Sequence, residues 1–285
     1  METQYANLHL HSTYSDAGFT PHQLVLIGKA LGYKALSLTD HETDGGNAVF
    51  AKECQREGID CITGVEFYGK IDEYKVHLTA LDFDPDEPTL RAFIKKRCDL
   101  QAEKTRKTVE FGIQIGVLDG LTWQDVLDRT PEGSWLCIDS VLNTIREMRL
   151  ELPEGLDAIR PKVFKAPEVK AFSVPHPEAE EVIRAVRKAG GVIALAHPGE
   201  LFPNFIERLV DLGLNGIESG HPNITQDAPE RLPLIYEAAE KYNLYHCGGT
   251  DHTGPMSCCG GRHACPTFDG ISEEQYFALK NRTRG

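Results

Sequence analysis

No stretch of this 285-residue chain reaches the 18 or so consecutive apolar residues that a membrane-spanning helix needs, and the N-terminal METQYANLHLHS lacks the apolar core of a secretory leader. Neither a membrane span nor export is expected. Positive charge is also scarce: 30 Lys and Arg stand against 43 Asp and Glu, a formal net charge of −13. So acidic a surface repels phosphate backbones unless a local patch or bound cations reverse the sign, which disfavours an extended nucleic acid as partner. Short-period repeats, low-complexity tracts and paired cysteines at zinc-knuckle spacing are missing as well. The eight Cys are scattered between positions 54 and 265, the usage of reduced thiols in a cytoplasm rather than of a disulfide framework. One cluster, Cys258-Cys259-Gly-Gly-Arg-His263-Ala-Cys265, has two adjacent thiols and no second pair, and reads as structural or incidental.

What remains is the composition of a globular protein, 41% hydrophobic and 26% charged. Short apolar runs alternate with helical patterns. Asn7 to Leu10 reads as a first strand; Thr20 and Pro21 then open a helix, as N-cap and first-turn residue, that ends at Gly32. Residues 35–39, 59–67 and 75–81 read as further strands. From Asp84 the texture changes, and residues 88–175 hold a long charged helix (LRAFIKKRCDLQAEKTRKTVEFG), shorter helical patterns and a Pro-punctuated stretch without a strand signal. The alternation then resumes with strands 191–196, 215–219 and 244–250. Seven strands alternating with helices predict an α/β fold on a parallel sheet, enough to close a (β/α) barrel over 1–87 and 176–285. Residues 88–175 form the helical insertion, placed to cap the barrel mouth. An open doubly wound sheet is the rival, but it gathers ligands at one switch-point crevice rather than at every strand end.

The chemistry sits at those ends: His9 and His11, Asp40 and His41, Glu66, His77, His197, Glu218 and His221, Asp251 and His252. Strand ends of a parallel barrel open onto one face, so these residues should converge. His9 and His11, two apart on a strand, point the same way and can grip one cation; Glu66 or Asp251 would lower its charge, and Asp16 can reach back from the following loop. Any one His alone is better read as a satisfied structural histidine. Five or more at successive strand ends point to a metal site of imidazole and carboxylate, suited to zinc, manganese or iron. With more than four donors available, more than one ion is expected, and Glu66 is placed to bridge. Asp40 is expected to orient His41. Glu42, Asp44, Asp82 and Asp84 read as solvated loop carboxylates.

At these positions the chain resembles a known family. HLHSTYSD (9–16), LTDHET (38–43), GVEF (64–67), VHLTA (76–80), LAHPG (195–199) and GGTDH (248–252) are similar to the successive motifs of the PHP family, named for its polymerase-associated and histidinol phosphatase members. The resemblance spans about two thirds of the chain. It implies a distorted seven-stranded (β/α) barrel and a trinuclear centre, manganese first among the candidates, that hydrolyses phosphate esters. His9, His11, Glu66 and Asp251 would hold the first ion; Glu66, His77 and His197 the second; Asp16 and His41 the third, with His252 completing it. Family members commonly end in Asp-x-His, whereas here His252 directly follows Asp251, so this last ligand departs from the pattern.

Divalent ions at such a mouth lower the pKa of bound water, neutralise phosphoryl oxygens and stabilise the leaving alkoxide. Arg106 is expected as a bidentate phosphate clamp and Lys104 as a second substrate cation, both on the charged insertion helix; a solvated helix face is the competing account. His221 is expected to bind substrate or to protonate the leaving group. His176, between two prolines, reads as structural, and Ser12 and Tyr14 are placed to hydrogen-bond phosphate. The expected activity is hydrolysis of a small sugar- or nucleotide-type phosphate ester, including a cyclic phosphodiester taken in two steps, a reading the GGTDHTG variant and the tail loop GPMSCCGGRHAC favour. Rivals are a 3′–5′ exonuclease, which the acidic balance opposes, a 3′,5′-bisphosphonucleotide phosphatase, and a histidinol phosphatase, whose members usually carry His where Asp16 stands. A non-enzymatic, metal-stabilised interaction module would bind metal without turnover.

Overall fold

A computed structural model describes residues 4–252, 254 and 269–282; the Cys258–Cys265 cluster and the tail loop lie outside the described residues. In chain order, β1 (Ala6–Asn7) leads to α1 (Pro21–Ala30), β2 (Ala35–Ser37), α2 (Asn47–Glu57), β3 (Asp60–Ile62), β4 (Gly64–Ile71) and β5 (Tyr74–Leu81). Three helices follow: α3 (Pro88–Gln114), α4 (Trp123–Arg129) and α5 (Ile138–Met148), and short 3-10 and π turns carry the chain on to Phe172. The alternation resumes with α6 (Ala179–Lys188), β6 (Val192–Leu195), α7 (Ile206–Asp211), β7 (Gly216–Gly220), α8 (Pro222–Thr225), α9 (Leu232–Tyr242), β8 (Tyr245–Gly248) and α10 (Glu273–Lys280).

Local chemistry explains the helix ends. Thr20 caps α1 through a reciprocal capping box with Gln23, and Pro21 fills the first turn. Gly58 closes α2 in the left-handed conformation, φ 70°. In α6 the spacing of Val182, Ile183 and Val186 makes one apolar face, which is buried, while Glu180, Glu181, Arg184 and Arg187 face outward.

The strands form two sheets, β1-β2-β3 and β4-β5-β6-β7-β8. This corrects the sequence expectation in two ways. The run 59–67 is not one strand: it breaks at Thr63, so that β3 pairs with β2 and β4 with β5. Nor is the sheet all parallel, because β4 and β5 form a hairpin and β5 runs against β6 too. The two-residue turn Asp72–Glu73, with Asp72 left-handed at φ 49°, makes that reversal. Neither sheet closes on itself. Isolated backbone bonds join them instead: Leu8 N–H to Gly248 O at 2.9 Å and Asp251 N–H to His9 O at 3.0 Å on one side, Glu66 N–H to Thr39 O at 3.2 Å on the other.

Side chains of β4 to β7 (Val65, Phe67, Leu78, Ile193, Leu195, Ile217) pack beneath α6, α7 and α9 as the largest core. Residues of the 88–172 segment have a cluster of their own, built on Val109, Leu118, Val126, Val141, Ile145 and Val163. That segment comes close to the loop before α2, where Gly133 O lies 2.6 Å from the position a β-carbon on Gly45 would take, so only glycine fits at 45.

Candidate metal centre

His9 and His11 lie just beyond β1 with both rings fully buried, and their Nε2 atoms are 3.1 Å apart. Glu66 Oε2 is 3.3 Å from each, and Asp251 Oδ1 is 3.1 Å from His11 and 3.7 Å from His9. The other oxygen of Glu66 faces elsewhere: Oε1 is 2.9 Å from His77 Nδ1 and 3.0 Å from His197 Nε2. One carboxylate thus stands between two sets of imidazoles. Beside them, Asp16 is 3.5 Å from His11 Nδ1 and 3.6 Å from His41 Nε2, while His41 Nδ1 lies 3.1 Å from Glu66 Oε2. His77 reaches this face because β5 is reversed; its early residues lie where the other strands end. His221 sits fully buried at the same end, Nε2 3.3 Å from Asp251 Oδ2, its Nδ1 accepting the Asn223 N–H at 3.1 Å. With Nδ1 an acceptor, neutral His221 carries its proton on Nε2 and acts as a hydrogen-bond donor.

Burial alone would strip these groups of charge. It does push the His41 imidazole down, to about 4, because Glu66 and Asp16 do not make up for lost solvent. For His9, burial is outweighed by Glu218, Glu66 and Asp251, and for His11 by Asp251, Glu66 and Asp16, so both stand well above the usual histidine value. Glu66 and Asp251 are held well below the usual carboxyl range against burial, Glu66 chiefly by His9, His41 and His77, and Asp251 by His9, His11 and His221. The donor set therefore has ionised carboxylates at its centre and imidazoles competing for protons. Nitrogen and oxygen atoms that converge to 2.9–3.7 Å in a largely buried site call for a shared cation. Among the described residues no hydrogen bond reaches the buried Nδ1 of His11 or of His41. The residues present fit divalent metal ions, with His9, His11, Glu66, Asp251, His77, Asp16 and His41 as candidate holders, His197 beside Glu66, and His9, Glu218 and His221 a further converging group.

Several expectations change. Asp40 does not orient His41: it accepts Ser12 N–H at 2.7 Å, Ser12 Oγ–H at 2.6 Å and Ser15 Oγ–H at 2.5 Å, so it shapes the loop that presents Asp16. Ser12 is spent in that contact rather than facing a phosphate. The carboxylate behind a histidine is Glu218, which accepts from His9 Nδ1 at 2.7 Å and from His197 N–H at 2.6 Å. His252 belongs to none of the acid–imidazole clusters among the described residues; its ring packs 5.2 Å from Phe19 and lines an apolar gap with Leu24 and Ile27. Asp251 holds a left-handed φ of 48°, and with this backbone its carboxylate faces the cluster while the His252 ring packs against Phe19.

Arg106 is not brought to the cluster. On an exposed face of α3, its guanidinium is held by Glu103 at 2.8 and 2.9 Å and by Glu110. Lys104 instead lines a cavity of about 270 Å³ with Tyr68, Arg97, Gln101, Trp135, Val174 and His176. Its walls touch the cluster, since the Tyr68 ring stacks on His41 at 4.8 Å and Trp135 lies 5.6 Å from the same ring. Sequence reasoning missed Arg97, Tyr68 and Trp135, and assigned His176 a structural role. It also took Glu42 for a solvated carboxylate. Glu42 is fully buried and pairs with Arg97, which also donates to Pro175 O at 2.9 Å. The available signal was β4 alternation, which places Tyr68 on the side of Glu66.

An α/β scaffold that gathers buried imidazoles around a shared carboxylate, next to a cationic cavity, is that of a metal-dependent phosphoester hydrolase. The PHP domain signature matches residues 7–109. A 3′,5′-nucleoside bisphosphate phosphatase of Chromobacterium violaceum is 30% identical over 278 residues, covering 92% of this chain and 91% of the relative. A phosphoribosyl 1,2-cyclic phosphate 1,2-diphosphodiesterase of Eggerthella lenta is 26% identical, over 87% of this chain and 94% of that one. Among solved structures, a Bifidobacterium adolescentis protein put forward as a metal-dependent phosphoesterase superposes with a TM-score of 0.77, at 22% identity, over 97% of this chain and 95% of the other. The chain belongs to the PHP family.

Proposed function

We propose that the protein hydrolyses small nucleotide-type phosphate esters with two to three divalent ions, manganese, zinc or iron, held by the residues around Glu66. The observation that carries this is the position of Glu66, one oxygen toward His9, His11 and His41 and the other toward His77 and His197. On the same reading, the two sheets and the isolated bonds that join them are a distorted barrel, and the helical segment 88–175 caps its mouth. The organic part of the substrate would fill the cavity beside the cluster. Tyr68, Trp135 and His176 offer ring faces and edges to a planar base, and Lys104 and Arg97 offer positive charge to anionic oxygens. His221, with Nε2 facing Asp251, would help to orient that carboxylate toward the ions.

A second reading, a cyclic phosphodiester opened and then dephosphorylated, is supported by the likeness to the Eggerthella lenta diesterase along nearly the whole chain. The test is phosphorus NMR of the manganese-loaded protein with a 3′,5′-bisphosphonucleotide, a five-membered cyclic sugar phosphate and a short oligoribonucleotide. Inorganic phosphate released fastest from the bisphosphonucleotide supports the first reading. Ring opening followed by phosphate release supports the second, and no release from any ester with metal bound overturns both.

A further inference from the structure

We infer that Tyr68 is a catalytic residue whose hydroxyl donates a hydrogen bond to the leaving-group oxygen of the phosphate ester, an inference that rests on the phosphoesterase reading above. Residues two apart on a strand share a face, so Tyr68 follows Glu66 toward the cluster. Its ring is held on several sides: stacked on His41 at 4.8 Å with an interplanar angle of 15°, and met edge-on by His77 at 4.7 Å and His176 at 5.2 Å. The backbone is fixed as well, Tyr68 N–H donating to Glu42 Oε1 at 3.1 Å.

The hydroxyl is the exception to this order. His9 is engaged by Glu218, His77 and His197 by Glu66, and Ser12 by Asp40. Among the described residues none hydrogen-bonds the Tyr68 hydroxyl, and the side chain lines the cavity with Lys104 and Trp135. A phenol packed this closely normally finds a partner, so a donor left open to a cavity is available to whatever fills it.

Position then decides the partner. Tyr68 is in ring contact with the imidazole cluster and also forms a wall of the cavity. A phosphate ester with its phosphoryl end against the cluster and its organic part in the cavity carries its bridging oxygen past this side chain. As a water oxygen bonds to phosphorus and the P–O bond to the leaving group breaks, the bridging oxygen takes the electron pair and gains negative charge, so a hydrogen bond donated to it strengthens in the transition state. The phenol keeps its proton throughout, its hydrogen bond only shortening as charge accumulates, and the proton given up by the attacking water ends on the released oxygen.

Tyr68→Phe tests this, because it keeps the ring and its packing and removes only the hydroxyl. The measurement is kcat and KM of the manganese-loaded enzyme over a series of phosphate monoesters, from para-nitrophenyl through phenyl to alkyl leaving groups, with metal content assayed in parallel. The expected result is full metal content and a kcat lower by about 10–100-fold for alkyl esters. The loss should shrink progressively toward para-nitrophenyl, whose oxygen needs little help, and KM should change much less than kcat. A loss uniform across the series, no loss, or a parallel loss of metal each overturns the assignment. Wild-type protein inert to every ester would instead remove the phosphoesterase reading beneath it.

Discussion

Glu218 shows how much of the site depends on residues that need not touch a ligand. It is fully buried, and its two oxygens fix His9 through Nδ1 and His197 through the main chain, where His197 holds the uncommon φ of 29°. With Nδ1–H given to Glu218, a neutral His9 would offer its Nε2 lone pair to a cation held between it, Glu66 and Asp251. Glu218→Gln keeps the volume and loses the charge. Affinity for the first metal ion should fall about 10–100-fold, read by titration against a competing chelator, with circular dichroism unchanged; unaltered affinity would make Glu218 a packing residue. The substrate cations separate as cleanly. Arg106→Ala should leave kcat/KM within about twofold, since two glutamates already occupy its guanidinium, whereas Lys104→Ala should lower it by about 10–100-fold with metal retained. At this scale the sequence showed most of the cluster, because histidines and carboxylates at strand ends have few reasons to accumulate. It did not show which way each neighbour points. Asp251 and His252 are adjacent letters with different neighbours, His11 for one and Phe19 for the other, and Asp40 next to His41 turns instead to Ser12 and Ser15.

Helices were the legible elements. Thr20-Pro21, the long charged run from Pro88 and the apolar stripe of α6 each carry a periodic or capping signal that local chemistry enforces. Strand partners were not legible, because an apolar run reads the same whether its neighbour is parallel or antiparallel, so the β4–β5 hairpin and the break at Thr63 were invisible. The C-terminal helix gives this scale its test. Asp60 of β3 accepts Tyr276 Oη–H at 2.8 Å and pairs with Lys280, both from α10. Burial raises its pKa, but Lys280 and Tyr276 outweigh that and hold it below its usual 3.8. A carboxyl depressed on folding contributes stability above its unfolded value and loses it as pH falls through the folded one. Because Asp60 is partly exposed, the contribution is on the scale of a surface pair. Asp60→Asn should lower Tm by about 1–2 °C at neutral pH, with the gap closing as pH falls below the usual carboxyl value of 3.8. A gap unchanged below that pH would assign α10 docking to packing of Tyr276 and Leu279 alone.

At the level of the whole molecule, an acidic protein with a net charge of −13 must admit an anion, and among the described residues several cations line cavities on one side of the cluster. Lys104 lines the cavity beside the imidazole cluster and also a second one, of about 400 Å³, walled by Lys165 and Lys170 over Phe164 and Val169. Elsewhere positive side chains such as Arg56, Lys95, Arg184 and Lys188 are paired with carboxylates on the surface. Both cavities are lined by the helical segment, whose separate apolar cluster lets it present lysines without disturbing the sheets. A long strand leaving this mouth would meet a surface whose net charge of −13 repels it. Affinity for a single-stranded oligoribonucleotide should therefore fall only gently with salt. At about 0.7 per phosphate neutralised, three lysines set a limiting slope of log K against log salt near −2, and lengthening the strand from four to twelve nucleotides should not steepen it. Fluorescence anisotropy of end-labelled RNA between low and physiological salt, with the manganese-loaded protein, measures this directly. A slope that steepens with strand length would mean that the protein tracks the backbone beyond its mouth, as an exonuclease acting on long substrates does, and would overturn the preference for small esters.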